Sequence, residues 1–204
     1  MLAAESTMTP VQEASLRRDW KIFTILTFLF GFGFQLYGGV FQNFLRDVLH
    51  ADEVNLGTLE SMREIPGLCA ALMAGTLVAF AESRIAAIGL VVAGIGIAVS
   101  GRMHTFGSLI AITVFWSVGF HLWATVQNAI ILALAKGKEG GRHLGRMSGI
   151  GALATIGGLG FAYLLSEIFH HMPYDVYFVL GGICIVISGL LCSQLSTHAE
   201  GGKR

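Results

Sequence analysis

Hydrophobic residues run through this chain in long stretches, without the strict alternation of a strand or the one-sided stripe of a surface helix. Six stretches carry no Asp, Glu, Lys or Arg: 22–45, 65–81, 85–101, 105–135, 147–166 and 176–199. A helix that crosses ~30 Å of hydrocarbon needs about 20 residues at 1.5 Å each. The second stretch has only 17 residues, so its helix is expected to start earlier, near Leu56, and to carry Glu60, Arg63 and Glu64 into the membrane. The third spans if Arg84 and Arg102 snorkel from its ends. The pattern predicts an all-α membrane protein with six transmembrane helices, about 22–45, 56–80, 84–101, 107–134, 147–167 and 174–194. Strands of a transmembrane barrel alternate over about 10 positions, and these runs are apolar all round.

Composition agrees. Of 204 residues, 54% are hydrophobic and 13% charged, too few charges to cover a soluble globule. The net charge is zero, so no basic field draws nucleic acid. The first apolar run, 24 residues, is too long for the 7–15-residue core of a cleaved signal. The expected organisation is a flexible cytoplasmic tail over 1–19, a six-helix bundle over 20–195 and a cytoplasmic tail over 196–204. Lys and Arg set the orientation. Arg17, Arg18, Lys21, Arg84, Lys136, Lys138, Arg142, Arg146, Lys203 and Arg204 fall on one side, against Arg46 and Arg102 on the other. Ten against two, with an even helix count, predicts both termini in the cytoplasm, in a bacterial inner or plasma membrane.

Within the spans, polar residues fall on stripes. Thr24, Gly31, Gln35, Gly38 and Gln42 share one face of the first helix; Ser117, His121, Ala124 and Asn128 share one face of the fourth. Ser148, Gly151, Thr155 and Ala162 make a small, weakly polar face on the fifth. Lipid cannot hydrogen-bond such groups, so they face other helices or a water-filled cavity. For Gln35 and His121, near the middle of their helices, helix packing and cavity lining compete on even terms. Glu60, Arg63 and Glu64 sit at i, i+3 and i+4, on neighbouring positions of one helix face. Pairing Arg63 with one carboxylate leaves the other over. Two readings follow, a structural triad near the outer mouth or a proton or substrate site. Pro66, one turn on, can bend the helix and free a carbonyl.

Other chemistry finds little support. Cys69, Cys184 and Cys192 all lie inside apolar runs, as small buried hydrophobes rather than a disulfide framework. His170 and His171 have no further ligand at metal spacing. Gly31-Phe-Gly33 lies inside a span rather than after a strand, so it is no dinucleotide loop. Gly145-Arg-Met-Ser148-Gly149 has the wrong spacing for an intramembrane serine protease, and no Asn-Pro pair marks a water channel. No enzyme activity, cofactor or metal is expected.

The loops and helix starts resemble the amino-terminal half of a major facilitator superfamily transporter over residues 20–195. Gly57-Thr-Leu-Glu-Ser61 looks like the outer start of that family's second helix. Gly75-Thr-Leu, ending in Glu82-Ser-Arg84, looks like a degraded form of its motif between helices two and three. Gly141-Arg-His-Leu-Gly-Arg146 looks like its loop between helices four and five. The departures are specific. The inner motif wants an Asp and at least two basic residues, whereas only Arg84, with Glu82, remains. Trp116 stands where the family often has an Arg early in helix four. Gly157, Gly158 and Gly160 occur without the antiporter proline. The resemblance implies a secondary transporter, or half of one, moving a small-molecule substrate by alternating access between two six-helix halves, with proton coupling open. The partners it implies are the lipid bilayer and a second half, either another copy or a separate carboxyl half. Its site candidates here are Gln35, Gln42, Glu60, Arg63, Glu64, His121 and Asn128, with Glu82, Arg84, Arg142 and Arg146 as a cytoplasmic gate. A membrane assembly partner or inactive remnant is the competing reading.

Overall fold

The computed structural model describes residues 8–72, 80–136, 139–170 and 172–196. Among these described residues six helices follow one another: α1 (Pro10–Asp47), α2 (Glu53–Leu72), α3 (Glu82–Ser100), α4 (Phe106–Ala135), α5 (Gly140–Ile168) and α6 (Tyr174–Cys192). The apolar runs dictate them, since a backbone in lipid must satisfy its N–H and C=O groups within the helix. All but α2 are long and apolar enough to cross a membrane. The exception carries Glu53, Glu60, Arg63 and Glu64 within its 20 described residues.

In cross-section α1 packs against α5 and α6, α3 packs against α4 and α6, and α2 packs chiefly against α4. Glycine sets the closest crossings. A Cβ at Gly33 would come 2.5 Å from the carbonyl oxygen of Gly181, and one at Gly94 would come 2.7 Å from that of Gly182. In a bilayer such close approach, rather than expulsion of water, drives helix association. Between α1, α4 and α6 the core is aromatic. The ring of Tyr37 lies 5.0 Å from Phe178 and 5.6 Å from Trp116, all three buried.

The amino-terminal tail differs from expectation. Residues 10–19 are helical and continue into the first span. Thr9 and Gln12 form a reciprocal capping box, and Pro10 occupies the first turn, where its missing N–H costs nothing. The resulting helix of 38 residues is about 57 Å long, nearly twice the hydrocarbon thickness. Its extension is tied to the chain beyond α6. Arg18 donates to the Gln194 carbonyl at 2.6 Å, and buried Asp19 accepts from the Ser196 hydroxyl. The start of α1 and the end of α6 therefore lie at the same end of the bundle. Outside the described residues lie the Gly75-Thr-Leu stretch, the last turns expected of the second helix, Lys138, His171 and the tail beyond Ser196.

Candidate transport site

The charge cluster forms on α2 and is completed from α4. Arg63 donates to Glu60 at 2.7 Å and to Glu64 at 3.1 Å. One guanidinium thus serves two carboxylates. His121, on α4, brings Nε2 to 3.7 Å from the far oxygen of Glu64. The imidazole is mostly buried, and its Nε2 has no hydrogen-bond partner among the described residues. Two features of α2 make room for it. Gly67 presents no side chain; a Cβ there would come 2.6 Å from His121 Cε1. Pro66 leaves the helix one N–H short, and the Ser117 hydroxyl, one turn before His121, donates to the neighbouring carbonyl of Arg63. Tyr37 of α1 lies within electrostatic reach of Arg63 and Glu60. The four ionisable groups therefore carry a net charge of −1 with His121 neutral and zero with one proton added. That difference matters in a membrane, where each uncompensated charge costs on the order of several kcal/mol.

A second feature is a cavity of about 390 Å³ between α1, α4 and α5. From α1 come Phe23, Thr27, Phe30, Gly31 and Phe34; from α4, Trp123, Gln127, Asn128 and Ile131; from α5, Met147, Ser148, Gly151 and Thr155. Small residues hold the walls at the right spacing. Ala154 and Gly151 approach Gly31 so closely that a Cβ on Gly31 would meet them at 3.0 and 3.3 Å. The Phe30 ring lies 5.6 Å from Trp123, and Phe23 lies 6.0 Å from it. The indole N–H of Trp123 has no hydrogen-bond partner among the described residues.

The single-helix stripes read from the sequence divide among different surroundings. Gln35 is half-buried where α1 meets Gly158 of α5, His121 turns to α2, and Asn128 lies at the cavity. Gln42 is exposed beside a separate hollow of about 260 Å³ that also includes Arg46 and Asp52. Of the gate candidates, Arg142 pairs with Glu139 on its own turn at 2.9 Å. Arg84 and Arg146 are exposed, and Glu82 stands in the first turn of α3. Sequence reasoning missed Thr27, Gln127, Trp123 and the four other α1 and α4 side chains of the cavity wall. Gln127 sits one position off the His121–Asn128 stripe, and the aromatic residues lie in apolar runs that show no polar stripe.

The geometry combines a partly exposed ionisable cluster on α2 and α4 with a cavity between α1, α4 and α5 lined by hydrogen-bonding side chains. Comparison with known proteins agrees at the level of family. No curated protein matches the chain. The family model described as Major Facilitator Superfamily matches residues 23–203, from the first buried turns of α1 past the end of α6. The chain belongs to the major facilitator superfamily, a family of membrane transporters.

Proposed function

We propose that this bundle carries a small solute by alternating access, with the solute in the cavity between α1, α4 and α5 and a proton on the Glu60–Arg63–Glu64–His121 cluster. The observation that carries the reading is the shared guanidinium: two carboxylates on one Arg63, with a mostly buried imidazole 3.7 Å from the second. Binding one proton makes the cluster neutral and cheap to enclose; releasing it restores a charge that favours exposure to water. Opening and closing thereby acquire a preferred protonation state, which is the elementary requirement for coupling. Glu64, between Arg63 and His121, is the group assigned to the proton exchange.

The polar residues beside the cavity support pairing with a second six-helix unit, another copy or a separate carboxyl half. Asn128, Ser148 and Thr155 are exposed there, and lipid offers them no partner. The positive-inside bias supports cytoplasmic termini. Single cysteines at Asp52 and Thr105 should react with an impermeant thiol reagent added outside, and one at Glu139 should not.

The test of coupling is solute uptake into proteoliposomes, with and without a pH gradient, for the wild type, Glu60→Gln and Glu64→Gln. Folded Glu64→Gln protein should take up solute with its response to the gradient lost. Unchanged uptake in both variants would contradict the proton assignment. Folded protein that moves no solute under any condition would favour an assembly partner whose charges are structural.

A further inference from the structure

An apolar groove and two unpaired bases meet near the starts of α1 and α5. The groove, about 360 Å³, is lined by Ile25, Phe28 and Leu29 of α1 and by Ile150 and Leu153 of α5, with Thr24 beside them. Ile25, Phe28 and Leu153 are exposed. It lies behind the candidate cavity rather than in it. On α1 the cavity takes Phe23, Thr27, Phe30 and Phe34, on the side of the helix opposite Ile25 and Phe28. A second six-helix unit over the polar mouth of the cavity therefore leaves the groove facing hydrocarbon.

Both helices enter their charge-free runs at this level, at residues 22 and 147, and the last charges before those runs are Lys21 and Arg146. The Trp20 ring stacks on His143 at 4.4 Å, which sets the two helix starts side by side. Lys21 precedes Ile25 by one helical turn, and Arg146 precedes Ile150 by one, so each base shares a face with a residue of the groove. The bases around them are engaged: Arg17 with Glu13, Arg142 with Glu139, and Arg18 with the Gln194 carbonyl. Lys21 and Arg146 are exposed and make no ion pair or hydrogen bond among the described residues.

We propose that the groove holds one acyl chain of an anionic phospholipid, with the lipid phosphate between Lys21 and Arg146. Apolar side chains receive the chain, and two cations stand where the apolar runs begin, which is headgroup level. The amphipathic ring of Trp20 belongs at that same level. From Thr24 to Leu29 the helix rises about 7.5 Å, which follows the upper part of a chain down from its headgroup. A zwitterionic headgroup carries its own ammonium to the same place and loses most of the attraction. The proposal draws on neither the proton nor the solute assignment.

The experiment is native mass spectrometry of the full chain, released from micelles that contain equal amounts of phosphatidylglycerol and phosphatidylcholine with identical acyl chains. The wild type should retain one phosphatidylglycerol, with a preference of about tenfold or more. Each base near an anionic headgroup is worth roughly fivefold, so Lys21→Gln combined with Arg146→Gln should bring the preference near unity. Arg84→Gln combined with Lys136→Gln removes the same charge away from the groove and should preserve it. Leu153→Trp fills the groove with both bases in place and should lower retention about tenfold. All three variants change exposed side chains, and thermal unfolding checks that each bundle is intact. Equal retention of the two lipids by the wild type, or an undiminished preference without Lys21 and Arg146, would overturn the headgroup assignment. The same loss in the Arg84 and Lys136 variant would reduce it to general attraction by a basic surface. Full retention in Leu153→Trp would overturn the chain assignment. Displacement of the lipid by glycerol 3-phosphate would give the bases to a free phosphate instead, and a dimer that retains no lipid would make the groove an interface between copies.

Discussion

Glycine plays opposite parts in α3 and α6 on one hand and on the face of α5 turned away from Gly158 and α1 on the other. On the first pair, Gly94, Gly182 and Gly189 lie so close to a neighbouring backbone that an added Cβ would collide with it. On α5, Gly145, Gly149 and Gly160 face open space. The α3–α6 pair is charge-free between its ends and closely packed. The α5 helix, with α2, is the exposed and more polar margin that bears on the candidate cavity and the charge cluster. The same residue type in the same kind of apolar run is thus a packing device in one place and an open surface in the other. Only the neighbours decide.

The strongest way to break this contrast is substitution at the two kinds of glycine. Gly94→Leu should destabilise the bundle by about 3 kcal/mol or prevent folding, because four new carbon atoms must enter backbone contact. Gly160→Ala should fall within about 0.5 kcal/mol of wild type or stabilise slightly, since it fills no contact and favours the helix. Reversible unfolding in mixed micelles reads both. Equal losses would show that α5 is packed as tightly as α3.

Next in size is Arg63→Ala, which leaves Glu60 and Glu64 without their shared cation. The expected loss is on the order of 1–3 kcal/mol in the same unfolding assay, with substantial recovery when Glu60→Gln is added. Absence of recovery would mean that the two carboxylates are not coupled through Arg63.

A smaller effect on stability, but an informative one on function, is expected from Gly67→Ala. The new methyl displaces the His121 ring from Glu64 while every ionisable side chain of the cluster is retained. Uptake should lose pH dependence while stability falls by about 1 kcal/mol, the low end of the cost of overpacking. Smallest is Ser117→Ala, which removes the hydroxyl donated to the Arg63 carbonyl and should cost about 0.6 kcal/mol, typical of side-chain hydrogen bonds within membranes.

The helices were legible because crossing a bilayer imposes a length and an apolar composition that few other structures need. Their ends were less so. The Thr9-Pro10-Val11-Gln12 capping box is a sequence signal for a helix start, yet hydropathy alone places that start some twelve residues later, at the beginning of the first long charge-free run. The triad on α2 could be read from i, i+3, i+4 spacing because all three groups share one helix. The contact of His121 with Glu64 and the cavity around Gln127 could not. Each joins residues more than fifty positions apart, through crossings set by Gly67, Gly31 and Gly151, and helical periodicity says which face a residue occupies but not which helix meets it.

The most direct measurement is solute-triggered proton movement in liposomes that enclose a pH-sensitive dye, with a panel of small solutes added outside. For the wild type, at least one solute of a panel that spans uncharged and charged members should shift the internal pH. For Glu64→Gln, the same solute should enter, as counted by radiolabel, with the pH signal abolished. Solute entry accompanied by an unaltered proton signal in Glu64→Gln would contradict the account.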